Sequence, residues 1–338
     1  MKAVIFDAPG KVRITNTATP EMKSGEVLLK INMVGLCGTD LNIYKGNMPL
    51  VSFPRIPGHE ISAQIIGKSS EVPDSIKIGD TVTVNPYTSC GKCTACRAGR
   101  FNTCMYNQTM GVQRDGAMSQ YFAIPYLKVL QHNILSRKEL ALVEPLSVGY
   151  HATSRGKVSE GETVLVLGCG MIGIGVALAA LQKKATVIVL DIDEKKLALM
   201  KSLGVHHMVN STQGDALKTI LDITNGQGPD VCIEAVGAAA TYRLALEASS
   251  FGGRIVCIGY AHSDISLNTS LIVKKELDVK GSRNALNEFS DVINMLEEKK
   301  FDSDRLITSV YKMENVHEAF QYWKENPGEV IKILAEIE

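Results

Sequence analysis

The sequence predicts an α/β protein in two parts, a small, partly open β-barrel followed by a doubly wound parallel sheet. Three observations predict it. Up to about residue 145, short apolar runs are separated by turn residues. Examples are Glu26 to Met33, with Val27, Leu29, Ile31 and Met33 on one side, and Thr81 to Val84 after the Gly79-Asp80 turn. From about residue 160 strands alternate with helices: Val164 to Leu167, a helix to Gln182, Thr186 to Leu190, a helix from Asp193 to Leu203, then Asp230 to Ala235 and Arg254 to Gly259. Strands this short and continuously apolar fit a parallel sheet covered on both faces. The third observation is a glycine pattern, Gly168-Cys169-Gly170-Met171-Ile172-Gly173, placed where the first of these strands turns into a helix.

Bulk properties agree. A chain of 338 residues is about two domains long at roughly 150 residues per domain. Its 45% hydrophobic and 21% charged content indicates neither disorder nor a fibrous repeat. The 36 basic and 36 acidic residues form no long run of one sign, which speaks against a nucleic-acid or membrane-surface partner. Asp7, Pro9 and Gly10 interrupt the N-terminus, so no secretory signal is read there and a cytoplasmic location is expected. Val164 to Leu181 is uncharged for eighteen residues, the length of a membrane span. Gly168, Gly170, Gly173 and Gly175 divide it instead into a strand and the start of a helix. After Gly281 the strand-helix rhythm ends. Val316, Ala319, Phe320 and Trp323 share one helical face, and Val330 to Leu334 reads as a last strand.

Eight cysteines are distributed unevenly. Cys90, Cys93, Cys96 and Cys104 give C-x2-C-x2-C-x7-C, and four thiolates so close in sequence can complete a tetrahedral shell around one structural zinc. The same ligands could hold an iron–sulfur cluster, while disulfides are disfavoured in a cytoplasmic chain. Cys169, Cys232 and Cys257 lie in or beside the predicted sheet and read as small buried hydrophobes. A second constellation is spread out: Cys37 in Gly35-Leu36-Cys37-Gly38-Thr39-Asp40, His59 and Glu60 in Gly58-His59-Glu60, and Glu144 before Pro145. A lone cysteine or histidine is usually a core residue. A thiolate, an imidazole and carboxylates from separate loops are together the ligand types of a catalytic zinc with an open position.

The glycine pattern gains meaning from Asp191, which ends the second strand eighteen residues after Gly173. A carboxylate there can hold the adenosine ribose hydroxyls and repels a 2′-phosphate, favouring NAD over NADP. Gly237 lets a cofactor lie close to the backbone, and Ser282-Arg283-Asn284 is placed to close over the nicotinamide side. Met171, Ile172, Ile192, Lys196, Val236, Ile258 and Gly259 complete the candidate cofactor surface.

In this order, Cys37-Gly-Thr-Asp, Gly58-His-Glu, the four-cysteine lobe, Glu144-Pro-Leu-Ser-Val and Gly168-x-Gly-x-x-Gly with Asp191 resemble the medium-chain zinc-dependent alcohol dehydrogenase family, over essentially the whole chain. The resemblance implies a GroES-like β-barrel catalytic domain over 1–147 with a structural-zinc lobe at about 88–106. It implies a Rossmann NAD-binding domain over 148–286 and a segment, 287–338, returning to the catalytic domain. It also implies two zinc ions per chain and assembly as a homodimer or homotetramer. Glu144, where other members carry cysteine, resembles the polyol, threonine and sugar-acid branch. There Cys37, His59 and either Glu144 or Glu60 would hold the catalytic zinc, and Thr39 would take the proton of the alcohol. The implied reaction is NAD-linked oxidation of a secondary alcohol on a small polar molecule to a ketone.

Threonine dehydrogenases carry histidine where this chain has Asn42, and an amide cannot relay a proton as imidazole does. The Phe53-Pro-Arg-Ile-Pro-Gly-His-Glu stretch resembles bacterial sugar-acid dehydrogenases, and Arg114 or Arg283 could grip a carboxylate bidentately. A hexonate therefore ranks first, then a polyol such as sorbitol or galactitol, then threonine or butanediol. A non-catalytic NAD- and zinc-binding sensor would need an emptied site, whereas Cys37, His59 and Glu144 are all present.

Overall fold

A computed structural model of the chain describes residues 1–261 and 263–337. It divides into two compact units, 1–145 with 289–338, and 146–288. The division falls inside the helix Arg137–Gly156.

The first unit is built on the strand Glu26–Leu36, which pairs with Glu60–Lys68, Tyr121–Pro125 and Ile333–Glu336. Pairing on both sides explains why this strand continues past Met33 through the apolar Val34-Gly35-Leu36. Thr81–Val84 and Val129–Gln131 extend the sheet at one end and Ser309–Lys312 at the other. Leu29, Ile31, Ile61, Ile65, Met118 and Phe320 fill its core. The tail helix, Val316–Glu325, buries Val316, Ala319 and Phe320, with Trp323 packed at the margin. The last strand begins at Ile333 and not Val330, because Ile331 N–H donates to the Thr308 hydroxyl (2.9 Å) before ladder pairing starts.

The second unit is a six-stranded parallel sheet. Its spatial order is His207–Asn210, Thr186–Asp191, Thr163–Leu167, Val231–Glu234, Arg254–Cys257, Asp278–Gly281, a doubly wound arrangement that reverses beside Thr163–Leu167. The two outer strands escape a search for apolar runs because edge strands carry polar residues, as in Asp278-Val279-Lys280-Gly281. Among the described residues no helix is long and apolar enough to cross a membrane. The uncharged window is the strand Thr163–Leu167 followed by the helix Met171–Gln182.

That helix meets the second half of Arg137–Gly156 backbone to backbone. A Cβ on Gly149 would lie 2.5 Å from both Ile172 O and Val176 N, and one on Gly175 would lie 2.7 Å from Leu146 O. Gly149→Ala is expected to lower stability by about 1–3 kcal/mol through overpacking, read as a fall in Tm. A second tie fixes the 282–288 loop. Glu288 accepts from His151 Nδ1 (2.9 Å) with one oxygen, and from Leu286 N–H (2.8 Å) and Asn287 N–H (3.0 Å) with the other. Burial alone would raise the Glu288 pKa, but the His151 contact and the N–H donors hold it below the ordinary 4.5. A depressed carboxylate contributes stability above its unfolded pKa and loses it as pH falls through its folded pKa. Glu288→Gln should therefore cost on the order of 1 kcal/mol at neutral pH. The gap from the parent should close in unfolding titrations taken below about pH 4.5.

Candidate active site

Cys37 ends the central strand and caps the helix Gly38–Lys45. Its sulfur accepts from Thr39 N–H (3.5 Å), and Asp40 reaches back to Cys37 N–H (3.0 Å). The sulfur thus sits at the positive end of the helix with one backbone N–H directed at it. Glu60 opens the neighbouring strand opposite Gly35. A Cβ on Gly35 would lie 2.0 Å from Glu60 Oε2, so only glycine lets the carboxylate fold across this strand. Together the donor atoms of Cys37, His59 and Glu60 lie within 4.8 Å of one another.

Glu144 is not among these three. It is buried and accepts a short hydrogen bond from the Tyr87 hydroxyl, while its charge still acts on His59. Thr39 is half-buried two residues from the thiol, and Asn42 sits one turn along the same helix.

Electrostatics tie the cluster together. Lys332, 3% exposed, donates to Glu60 Oε1 and Oε2 (2.6 Å each) and to Leu36 O (3.0 Å). Burial would lower its pKa, yet Glu60 and Cys37 raise it. Burial would likewise lower that of His59, but Cys37, Asp40 and Glu144 lift it well above the ordinary value. Asp40 and Glu144 are themselves raised, by burial first. The two bases are raised by acidic neighbours, and four acidic side chains, Cys37, Asp40, Glu60 and Glu144, face them. His59 Nδ1 and Asp40 Oδ1 are buried without hydrogen bonds. A divalent cation fits this donor set, since thiolate, imidazole and carboxylate supply three protein ligands and zinc supplies the missing charge.

The lobe cysteines form a second cluster within 4.8 Å. All are free thiols, with Cys93 and Cys104 sulfurs 3.9 Å apart and Cys90 and Cys96 4.0 Å apart. Four sulfurs at Zn–S distances of about 2.3 Å around a tetrahedral ion would be about 3.8 Å apart. Backbone N–H groups already stabilise negative sulfur: Cys93 N–H points at Cys90, Cys90 N–H and Tyr106 N–H at Cys104.

In the parallel-sheet unit, Gly168 adopts φ +102°, and a Cβ on Gly173 would lie 1.9 Å from Gly168 O. Gly170 caps the helix Met171–Gln182 without a side-chain partner and has open space where a Cβ would be, leaving helix N–H groups for a pyrophosphate. Ile172, one residue into the helix, is half-buried. Asp191 accepts from Cys169 N–H (2.7 Å), Ile192 N–H (2.8 Å) and Asp193 N–H (3.0 Å). Ile192 is exposed, and Lys196 N–H is tied to Asp193. Glu234, fully buried, brackets the next crest by accepting from Val236 N–H (3.0 Å), Gly237 N–H (2.8 Å) and Thr241 Oγ1 (2.7 Å). A Cβ on Gly259 would lie 2.2 Å from Gly237 N, so both glycines are needed for this close approach. Ile258 N–H donates to Glu234 O, and Ser282 N–H to Cys257 O, while Arg283 and Asn284 are half-buried. The bed and its open helix terminus fit a dinucleotide.

Sequence reasoning missed Lys332, Tyr87 and Glu234. A lysine in the apolar run Val330-Ile331-Lys332-Ile333-Leu334 was the available signal, since a charge pointing into a core needs a partner. Tyr87 carries none.

Residues 23–133 match the alcohol dehydrogenase GroES-like domain, and residues 171–298 match the zinc-binding dehydrogenase family. The chain is 34% identical to the sorbitol dehydrogenase of Bacillus subtilis, over 99% of this chain and 96% of the relative. It is 31% identical to the L-galactonate-5-dehydrogenase of Escherichia coli K12, over 98% of each. An Escherichia coli CFT073 alcohol dehydrogenase solved with the cofactor NADH superposes with a TM-score of 0.93 at 27% identity, covering 99% of both chains. The chain belongs to the medium-chain, zinc-binding alcohol dehydrogenase family and is a zinc-dependent, nicotinamide-dinucleotide-linked oxidoreductase acting on CH–OH groups.

Proposed function

We propose that the protein oxidises a secondary hydroxyl of a hexonate or hexitol to the ketone, with NAD as acceptor and Cys37, His59 and Glu60 as ligands of the catalytic zinc. The observation that carries this reading is the convergence of those three side chains, His59 and Glu60 buried and Cys37 half-buried, with Thr39 beside the thiol. When bound, zinc supplies Lewis acidity at the alcohol oxygen and NAD supplies the hydride acceptor. The chain's own residues do the rest. Thr39 takes the hydroxyl proton, and water carries it onward where Asn42 cannot. Lys332 bonds both Glu60 oxygens, and Glu144, oriented by Tyr87, is a further acidic group acting on His59.

Asp191 supports NAD over NADP, because a 2′-phosphate would meet a carboxylate already fixed by three backbone N–H groups. The sorbitol and galactonate relatives support the substrate class. Assembly as a homodimer or homotetramer is carried over from the resemblance and is read by light scattering.

A panel of hexonates, hexitols, threonine and butanediol, followed by NADH absorbance, tests the substrate reading. Turnover of threonine or butanediol alone would displace it. Metal analysis should find two zinc ions per chain, one of them lost in Cys37→Ser with retained fold and a fall in kcat of about a thousandfold or more. Full turnover in Cys37→Ser would remove the ligand assignment. One zinc and no turnover on any alcohol would favour a sensor.

A further inference from the structure

Arg114 and Lys128 donate to adjacent carbonyls in the barrel unit, and among the described residues no carboxylate is bonded to either. Arg114 Nη2 donates to Pro86 O (3.3 Å), and Lys128 Nζ donates to the next carbonyl, Tyr87 O (2.6 Å). Arg114 Nε is buried and without a partner. The acid that follows in sequence is committed elsewhere: Asp115 bonds Arg55 (3.0 Å) and Ile56 N–H (3.1 Å). Burial lowers the pKa of both cations, and Arg114 lowers Lys128 further. A guanidinium has five N–H donors and an ammonium three, so most of their capacity is unspent on protein. Two half-buried like charges bonded to adjacent carbonyls repel each other, and an anion within reach of both would offset that repulsion.

Their position is set by the frame that carries the zinc cluster. Met110 N–H donates to Pro86 O (3.2 Å), Gly116 N–H to Ile56 O (2.7 Å) and Ala117 N–H to Gly58 O (3.0 Å). A Cβ on Gly111 would lie 2.6 Å from Gly58 N, and one on Gly116 would lie 2.3 Å from Gly58 O. The loop bearing Arg114 is thus wedged between the backbone leading into His59 and the Pro86-Tyr87 segment, and the Tyr87 hydroxyl holds Glu144.

We propose that Arg114 and Lys128 form a subsite for the anionic end, carboxylate or phosphate, of the hydroxylated substrate, so that the enzyme takes sugar acids or sugar phosphates in preference to neutral polyols. The inference rests on the dehydrogenase reading above and narrows its substrate class. Arg supplies the planar fork and Lys a point charge, a pairing suited to either group.

The test measures initial rates of the zinc- and NAD-saturated enzyme on hexonates, hexitols and hexitol 1-phosphates, for the parent, Arg114→Gln and Lys128→Gln. The parent should give its highest kcat/KM on one anionic series, and which series wins separates carboxylate from phosphate. Each variant should lower the anionic-to-neutral ratio of kcat/KM about tenfold or more, mainly through KM. A purely structural role at the Pro86 and Tyr87 carbonyls would leave that ratio unmoved. Preference of the parent for hexitols, or equal losses on both classes, overturns the subsite and leaves the dehydrogenase reading standing. If no member of the panel is oxidised, thermal shift of NADH-saturated protein with inorganic phosphate and with gluconate decides the subsite separately. A rise in Tm in the parent that the variants lack sustains it, and equal or absent rises in all three overturn it.

Discussion

The structure of the site depends on one buried ion pair. Glu60 is 1% exposed, and burying a carboxylate without a partner costs several kcal/mol in desolvation. Lys332 resolves this by spending its three donors on both Glu60 oxygens and Leu36 O. The partners are 272 residues apart in sequence, and the pair forms only because the strand Ile333–Glu336 runs antiparallel against Glu26–Leu36. The C-terminal segment is therefore part of the site and not an appendage. Gly35 is the complementary condition, since any side chain there would occupy the space of the carboxylate.

The dinucleotide bed follows a different logic, in which backbone and not charge does the shaping. Gly168, Gly173, Gly237 and Gly259 allow main chain to approach main chain more closely than any Cβ would permit. Close approach leaves N–H groups that need acceptors. Glu234 meets that demand by accepting two of them and a threonine hydroxyl at the end of Val231–Glu234. The cofactor surface at Val236 and Gly237 is thereby held by a residue whose side chain is fully buried.

How much of this could be read from sequence divides by range. The parallel strands were legible because each is a short apolar run ended by glycine or acid, and the helix of Val316, Ala319 and Phe320 because its period is local. The four lobe cysteines were legible for the same reason, all their spacing lying within fifteen residues. The outer strands were hidden because exposure removes the apolar run. At the dispersed cluster the spacing named Cys37, His59, Glu60 and Glu144 but could not rank the two glutamates. That ranking depends on strand register, which puts Glu60 opposite Gly35, and on Tyr87, which engages Glu144. Lys332 was signalled by its charge within an apolar run, but its partner is set by topology and that of Glu234 by backbone donors, neither of which has a sequence signature.

The same electrostatics bear on how an anionic substrate could be accepted at all. A pocket lined by the acidic side chains Cys37, Asp40, Glu60 and Glu144 disfavours a further anion, since a divalent ion and Lys332 bring three positive charges to those four groups. An acidic group on the substrate is then tolerated only if its charge is met away from the metal, where screening weakens the repulsion and dedicated cations offset its desolvation. In the proposed subsite Arg114 and Lys128 would meet that condition, being bonded to the carbonyls of Pro86 and Tyr87 and not to those carboxylates. Had either been paired with Glu144 or Glu60, its charge would already be spent. With the proposed subsite, separating the cation that steadies the Glu60 carboxylate from those left open would let one barrel both hold zinc and select for charge on the molecule it oxidises.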